Sequence, residues 1–214
     1  MSEQSKRIVP PLLRKILDYD VKLTHKFTSW ADTFLPFKSL RIHYKALEIT
    51  CHGVPWLVFW TAFTWLFNNQ SLVQMQINML LGLILDIMFV ALIKAYVRRK
   101  RPKANVKDAI GEMGPDVFSF PSGHASRATF VAYFFINLFP LHFLFYPTLL
   151  AWATSICISR VLMNRHHILD VLAGVGLGLM EGVLLSVLLV SDETSKWLMN
   201  YLSYEKLDGG EYHV

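Results

Sequence analysis

Residues 72–97 are apolar almost throughout, charged only at Asp86 and Lys94, and long enough to cross a lipid bilayer. A helix needs about 20 mostly apolar residues to span a hydrocarbon core about 30 Å thick. In lipid every backbone N–H and C=O must also find a partner within the protein, which restricts spanning chains to helices and closed barrels. Four further segments meet or approach that length: residues 54–67 (extended back through 46–51), 125–138, 141–163 and 168–190. The expected fold is therefore all-α, a polytopic transmembrane helix bundle of five spans preceded by an amphipathic or re-entrant N-terminal helix.

The residues before position 46 have a different character. Leu12, Leu13, Ile16, Leu17, Leu23, Phe27 and Trp30 recur at helical intervals among Lys, Arg and Asp. That pattern describes either a helix lying in the membrane interface, its basic residues toward anionic headgroups, or one packed on the polar end of the bundle. The division expected is an interfacial region over 1–45, a membrane core over 46–191 and a frayed tail over 192–214. The polar, proline-bearing start does not resemble a cleavable leader.

Composition narrows the function. The chain carries a net charge of +5, which suits nucleic acid, anionic lipid or a phosphorylated substrate. With 53% hydrophobic residues and 17% charged, it offers no soluble nucleic-acid face, so the partners expected are the bilayer and a phosphorylated lipid. Its cysteines, Cys51 and Cys157, both sit in apolar stretches and outline no disulfide framework.

Alternation of the spans puts the ends of the second and fourth and the starts of the third and fifth on one membrane face. That face gathers 94–116, 118–124, 160–167 and Asp170, whereas the opposite connectors at 68–71 and 140–142 hold no Lys, Arg, Asp or Glu. Three groups of residues on the loaded face carry the chemistry. Lys94 is followed after six residues by Arg101-Pro102; Pro121-Ser122-Gly123-His124 opens the third span; and Ser159-Arg160 is followed after five residues by His166 and after three more by Asp170. Spaced Lys and Arg suit an oxyanion with several oxygens. Pro-Ser-Gly at a helix start aims free N–H groups at the same anion. One helical turn between His166 and Asp170 would let the carboxylate hold one ring nitrogen and leave the other to attack.

These motifs resemble the signature of the type 2 phosphatidic acid phosphatase superfamily of integral membrane lipid phosphatases: Lys-x6-Arg-Pro, Pro-Ser-Gly-His and Ser-Arg-x5-His-x3-Asp, in that order. The resemblance runs by motif from Lys94 to Asp170. The runs Cys51-His52-Gly53-Val54-Pro55-Trp56, Arg98-Arg99-Lys100-Arg101-Pro102 and Ser119 through Ala128 are similar to the polyisoprenoid diphosphate (presqualene diphosphate) phosphatase branch. It implies a six-span family fold, hydrolysis of lipid phosphates or isoprenoid diphosphates, and residence in the endoplasmic reticulum or nuclear envelope. It also implies roles: His166 as nucleophile, Asp170 orienting it, His124 as general acid and base, and Lys94, Arg101, Ser122, Gly123 and Arg160 holding the phosphate. No cofactor and no metal are expected, because the cations fill the place of a divalent ion.

Other polar residues have plainer readings. His25, His43, His52 and His142 read as structural, and His167 lacks the spacing to both Arg160 and Asp170. Arg127, one turn past His124, would either reach a second phosphate or snorkel to the interface. Arg98, Arg99, Lys100 and Lys103 read as charge that sets topology. Asp86 and Glu181, acids inside spans, read as a buried polar network, and Gly174, Gly178 and Gly182 as a close-packing stripe. A non-catalytic scaffold and a transporter are the rival classes. The intact His124, His166 and Asp170 argue against the first, and the lack of glycine-broken half-helices against the second.

Overall fold

The computed structural model describes residues 10–34, 41–67, 69–102 and 117–208, which form helices and turns with no strand among them. The connector from Lys103 to Asp116 and the last six residues, Gly209 and Gly210 included, lie outside the described residues. In chain order the helices are α1 (Pro11–Ala31), α2 (Arg41–Thr50), α3 (Gly53–Leu66), α4 (Val73–Val97), α5 (Gly123–Tyr133), α6 (Tyr146–Leu162), α7 (Ile168–Val187) and α8 (Asp192–Asp208). Three helical stretches are long and apolar enough to cross a membrane: Val73–Val97, Phe143–Leu162 and Ile168–Val187.

The two remaining expected spans differ from the sequence reading. The first does not extend back through residues 46–51. Pro55 has no N–H to donate, and in a continuous helix its ring would strike the carbonyl of Cys51, so the chain breaks there. His52 becomes the N-cap of a new helix, its Nδ1 accepting from the Val54 N–H at 3.3 Å. At 1.5 Å per residue the resulting α3 is about 21 Å long, shorter than a hydrocarbon core. The third expected span runs through α5 into a π-helical turn (Phe134–Leu138) and stops before Pro140.

Helix α5 is the centre of the bundle. Residues 123–128 are all buried, and α5 packs most extensively on α7, with α4 and α6 also against it. Small residues bring α5 and α7 together: a Cβ on Gly174 would lie 2.4 Å from the Ser122 carbonyl oxygen, and one on Gly178 2.2 Å from that of Ser126. Outer helices turn Val58, Trp65, Leu92, Leu172 and Val187 outward, as lipid-facing surfaces require. A core of Trp60, Met79, Leu83, Phe130, Phe134 and Leu185 fills the bundle.

Polar groups inside the spans are tied in pairs. Arg127 of α5 meets Asp86 of α4 at 2.6 Å, and Ser126 donates to Glu181 of α7 at 3.2 Å. Neighbouring residues of the central helix thus stitch one buried acid from each flanking helix.

The first and last of the described helices both pack on the bundle. Helix α1 buries Asp20, Thr24, Thr28 and Ala31 against α6 and α7 and leaves Leu12, Leu13, Ile16, Tyr19 and Trp30 exposed. Its polar stripe, not its apolar face, is the part the bundle covers. Residues expected to fray after position 192 instead form α8, which packs on α4 and buries Ser195 and Met199. Ser191 starts it, accepting from the Thr194 N–H through its hydroxyl, as a side-chain cap does.

Candidate active site

A cavity of about 240 Å³ opens where α4 ends, α5 and α3 begin, and α6 gives way to α7. Lys94, Arg101, Gly123, His124, Arg127, Arg160 and His166 line it, together with His52, Gly53, Val54, Ile87, Val90 and Ala91. Residues up to 114 positions apart in the sequence therefore face one space (His52 to His166). Four of the lining residues are cationic and none is acidic, so the cavity is built for a polyanion.

Each cation reaches the cavity from a defined element. Lys94 sits in the last turn of α4, where the helix dipole favours a cation. The chain then turns sharply at Arg98, whose backbone is left-handed (φ 53°), and this brings Arg101 back to the same space. Arg160 ends α6, buried, with Glu48 of α2 as an ion-pair partner at 3.3 Å. Arg127 lies 2.6 Å from Asp86 and donates to the Cys51 carbonyl at 3.0 Å, so its guanidinium is held from behind while the residue lines the cavity. It is buried rather than snorkelling.

The start of α5 presents Gly123 and His124. Ser122 does not line the cavity: it is fully buried, and its hydroxyl caps α5 by accepting from the Ala125 N–H at 3.4 Å. A role for its side chain on the phosphate, expected from the motif, is replaced by a role in aiming the helix terminus. A Cβ on Gly123 would stand 3.0 Å from a Val90 methyl, so glycine lets α5 approach α4 beside the cavity.

The two adjacent histidines have separate fates. His166 lines the cavity and is 1% exposed, and its Nδ1 lies 2.7 Å from the Ser119 carbonyl oxygen. A carbonyl only accepts, so Nδ1 carries the proton and Nε2 holds the lone pair. Burial, then the positive charges of Arg160, Lys94 and Arg101, pull the His166 pKa well below its ordinary value, with the Ser119 carbonyl opposing them. The ring is neutral at physiological pH, the form a nitrogen nucleophile needs. His167 instead caps α7.

Asp170 does not orient His166 directly, contrary to the spacing argument. Helix α7 begins only at Ile168, so His166 and Asp170 are not stacked on one helical turn. Asp170 is the third residue of α7, and its carboxylate turns back to accept from the His167 N–H at 2.8 Å, with His167 Nδ1 at 3.2 Å, in a capping box. Its other oxygen meets Arg99 at 2.7 Å. The orienting partner of His166 is Ser119, which acts through a backbone carbonyl and so leaves no mark on residue type. Sequence reasoning also passed over His52, whose ring stands 5.9 Å from that of His124 in an edge-to-face arrangement, and over Glu48 and Arg99. The apolar surroundings of Glu48 in the sequence were the available signal.

Among the described residues no three His, Cys, Asp or Glu side chains cluster to hold a metal ion. The arrangement can bind a phosphoryl group through cations and a helix terminus, and can bring to it a neutral imidazole and a second histidine.

Comparisons with known proteins agree with this geometry. The pattern of the PAP2 superfamily matches residues 76–192, more than half of the chain. A protein of Arabidopsis thaliana named probable lipid phosphate phosphatase beta is 36% identical over 129 residues, which cover 49% of this chain and 61% of that protein. The chain thus matches somewhat under two thirds of that relative's length. Two crystal structures share the fold. Aquifex aeolicus LpxE aligns at a TM-score of 0.56 and 18% identity, covering 76% of this chain and 94% of its own. The first transmembrane PAP2 type phosphatidylglycerolphosphate phosphatase from Bacillus subtilis aligns at 0.56 and 22%, covering 81% and 86%. With its apolar helices, its shared architecture and the superfamily pattern running through the cavity residues from Ile87 to His166, this integral membrane protein belongs to the PAP2 superfamily.

Proposed function

We propose that the protein is a metal-independent lipid phosphatase that hydrolyses isoprenoid diphosphates and monophosphates such as presqualene, farnesyl and geranylgeranyl diphosphate. The observation that carries the reading is the cavity itself, where Lys94, Arg101, Arg160 and a neutral His166 face one space at the ends of membrane helices. A phosphoryl group held there has its oxygens neutralised by the cations through a loose transition state. His166 Nε2 attacks phosphorus, forming a P–N bond as the P–O bond to the leaving group breaks, and His124 protonates the departing oxygen. Water then attacks the phosphohistidine, giving its proton to His124 and releasing phosphate and free His166. Asp170 acts one step back, by fixing the turn that carries His166.

Arg127 supports the diphosphate reading, since it adds a fourth cation beside the three that one phosphoryl group needs. The endoplasmic reticulum or nuclear envelope is the location that goes with it. The second reading, a broad phosphatidate and lysophosphatidate phosphatase, draws on the name of the Arabidopsis relative. The test is phosphate release by purified protein in detergent without metal, from farnesyl diphosphate and from phosphatidate, with His166→Ala alongside. Preference for the diphosphate with an inactive variant upholds the reading. Equal turnover of phosphatidate transfers it to the broad reading, and no release from either substrate by folded protein rejects catalysis.

A further inference from the structure

The turn carrying His166 is held by a lattice of hydrogen bonds that begins in the N-terminal helix. Asp20 of α1 accepts from the Leu169 N–H through Oδ1 at 3.1 Å, and Thr24 accepts from the Ile168 N–H at 3.1 Å. These amides open α7 and have no partner within their own helix. The other oxygen of Asp20 meets Arg99 Nη2 at 2.7 Å, and Arg99 Nη1 meets Asp170 at 2.7 Å. Arg99 therefore bridges two buried carboxylates with one planar fork, a geometry that lysine cannot reproduce.

Arg99 also touches the other side of the nucleophile. Its carbonyl accepts from the Ser119 N–H at 2.8 Å and from the Ser119 hydroxyl at 3.2 Å. Ser119 in turn offers the carbonyl that meets His166 Nδ1. The Asp170 carbonyl accepts from the Ser122 N–H at 2.9 Å, which joins the same lattice to the cap of α5. One arginine at an unspecified position between Lys94 and Arg101 thus braces the backbone on both sides of His166, and a carboxylate 146 positions before His166 braces the arginine.

We propose that Asp20, acting through Arg99 and with Thr24, is a positioning residue for His166, so that helix α1 is part of the catalytic frame. The proposal rests on the phosphatase reading above. Neither Asp20 nor Thr24 lines the cavity. Loss of the brace should let the His166 ring drift from the line of attack while substrate still binds. A displacement of about 1 Å in a reacting group costs on the order of 10²-fold in rate.

The experiment is single-turnover phosphate release by the full chain in detergent, enzyme in excess, from whichever of farnesyl diphosphate or phosphatidate the wild type cleaves. Asp20→Asn keeps the acceptor for Leu169 and removes the charge facing Arg99, and Thr24→Val removes the second acceptor at constant shape. The rate constant should fall roughly 10- to 100-fold in Asp20→Asn with the amplitude preserved, and steady-state KM should stay within about twofold. Thr24→Ser should recover most of the rate that Thr24→Val loses. Asp18→Asn, the same charge change two residues away on an exposed position, should leave the rate constant as in the wild type. A lowered amplitude at constant rate constant would mean that α1 only helps the protein fold, and an unchanged rate constant would mean that it does nothing to His166. Either result overturns the proposal. Failure of the phosphatase reading shows up separately, as no release from the wild type, and removes the proposal with it.

Discussion

At the scale of single residues, His166 shows how a side chain acquires a role from what surrounds it. Its proton sits on Nδ1 because a backbone carbonyl faces that nitrogen, and its charge is suppressed by burial among cations. Replacing it with alanine removes the nitrogen proposed to attack phosphorus, and phosphate release should fall below detection while the thermal midpoint in detergent stays near the wild type. The same pKa shift has a consequence for stability. An unfolded histidine titrates near 6.5 (roughly the model-peptide value), so below that pH the unfolded chain binds a proton that the folded chain refuses. Stability contributed at this site is complete above about pH 6.5 and is lost as pH falls, at up to about 1.4 kcal/mol per pH unit. Thermal midpoints measured from pH 7.5 to 5 should drop more steeply for the wild type than for His166→Gln. Arg160 offers a different residue-scale prediction. Arg160→Ala removes a cation that faces the buried Glu48 carboxylate and strips a cation from the cavity. It should lower kcat/KM by about 10²-fold or more and also lower the melting temperature, whereas Lys94→Ala should affect activity more than stability.

At the scale of elements, the contact between α5 and α7 sets the distance between the helix terminus that carries His124 and the turn that carries His166. The glycine stripe makes that distance short. Gly178→Ala would press its Cβ against the Ser126 carbonyl, and the backbone must shift to relieve it, at a cost of about 1–3 kcal/mol. Gly176, on the same helix, has nothing within 4 Å of an added Cβ. Gly176→Ala should therefore stabilise α7 by up to about 1 kcal/mol through helix propensity alone. Opposite shifts of the thermal midpoint in the two variants check the packing; equal shifts would refute it. The stripe was legible in the sequence because three glycines recur at intervals of four. The short α3 was less so, since the break depends on whether the Cys51 carbonyl meets the Pro55 ring, and apolar content alone runs straight through it. Helix α1 was the least legible: amphipathicity reports that two faces differ, but not which of them the protein covers.

At the scale of the whole molecule, the cavity gathers four cations that the chain distributes over three helices and a turn, and the proposed chemistry draws on that gathering. Because the cations neutralise the phosphoryl oxygens, treatment with EDTA should leave the rate of phosphate release unchanged, and added Mg²⁺ should not raise it more than marginally. A strong loss with EDTA that Mg²⁺ restores would show that the cations do not suffice. The amino-acid sequence determined the helical class, the membrane and the residue types of the site, because each depends on local quantities: run length, hydropathy and fixed spacing. It also placed Lys94, Arg101, Gly123, His124, Arg160 and His166 together, since alternation of spans is enough to put them on one face. The tertiary structure decided which atom holds His166, that Ser122 and Asp170 serve as caps, and that Arg99 and Asp20 reach the turn that carries His166. Those assignments depend on where a helix begins to within one residue and on backbone carbonyls that every residue type carries, and neither is encoded in a pattern of side chains.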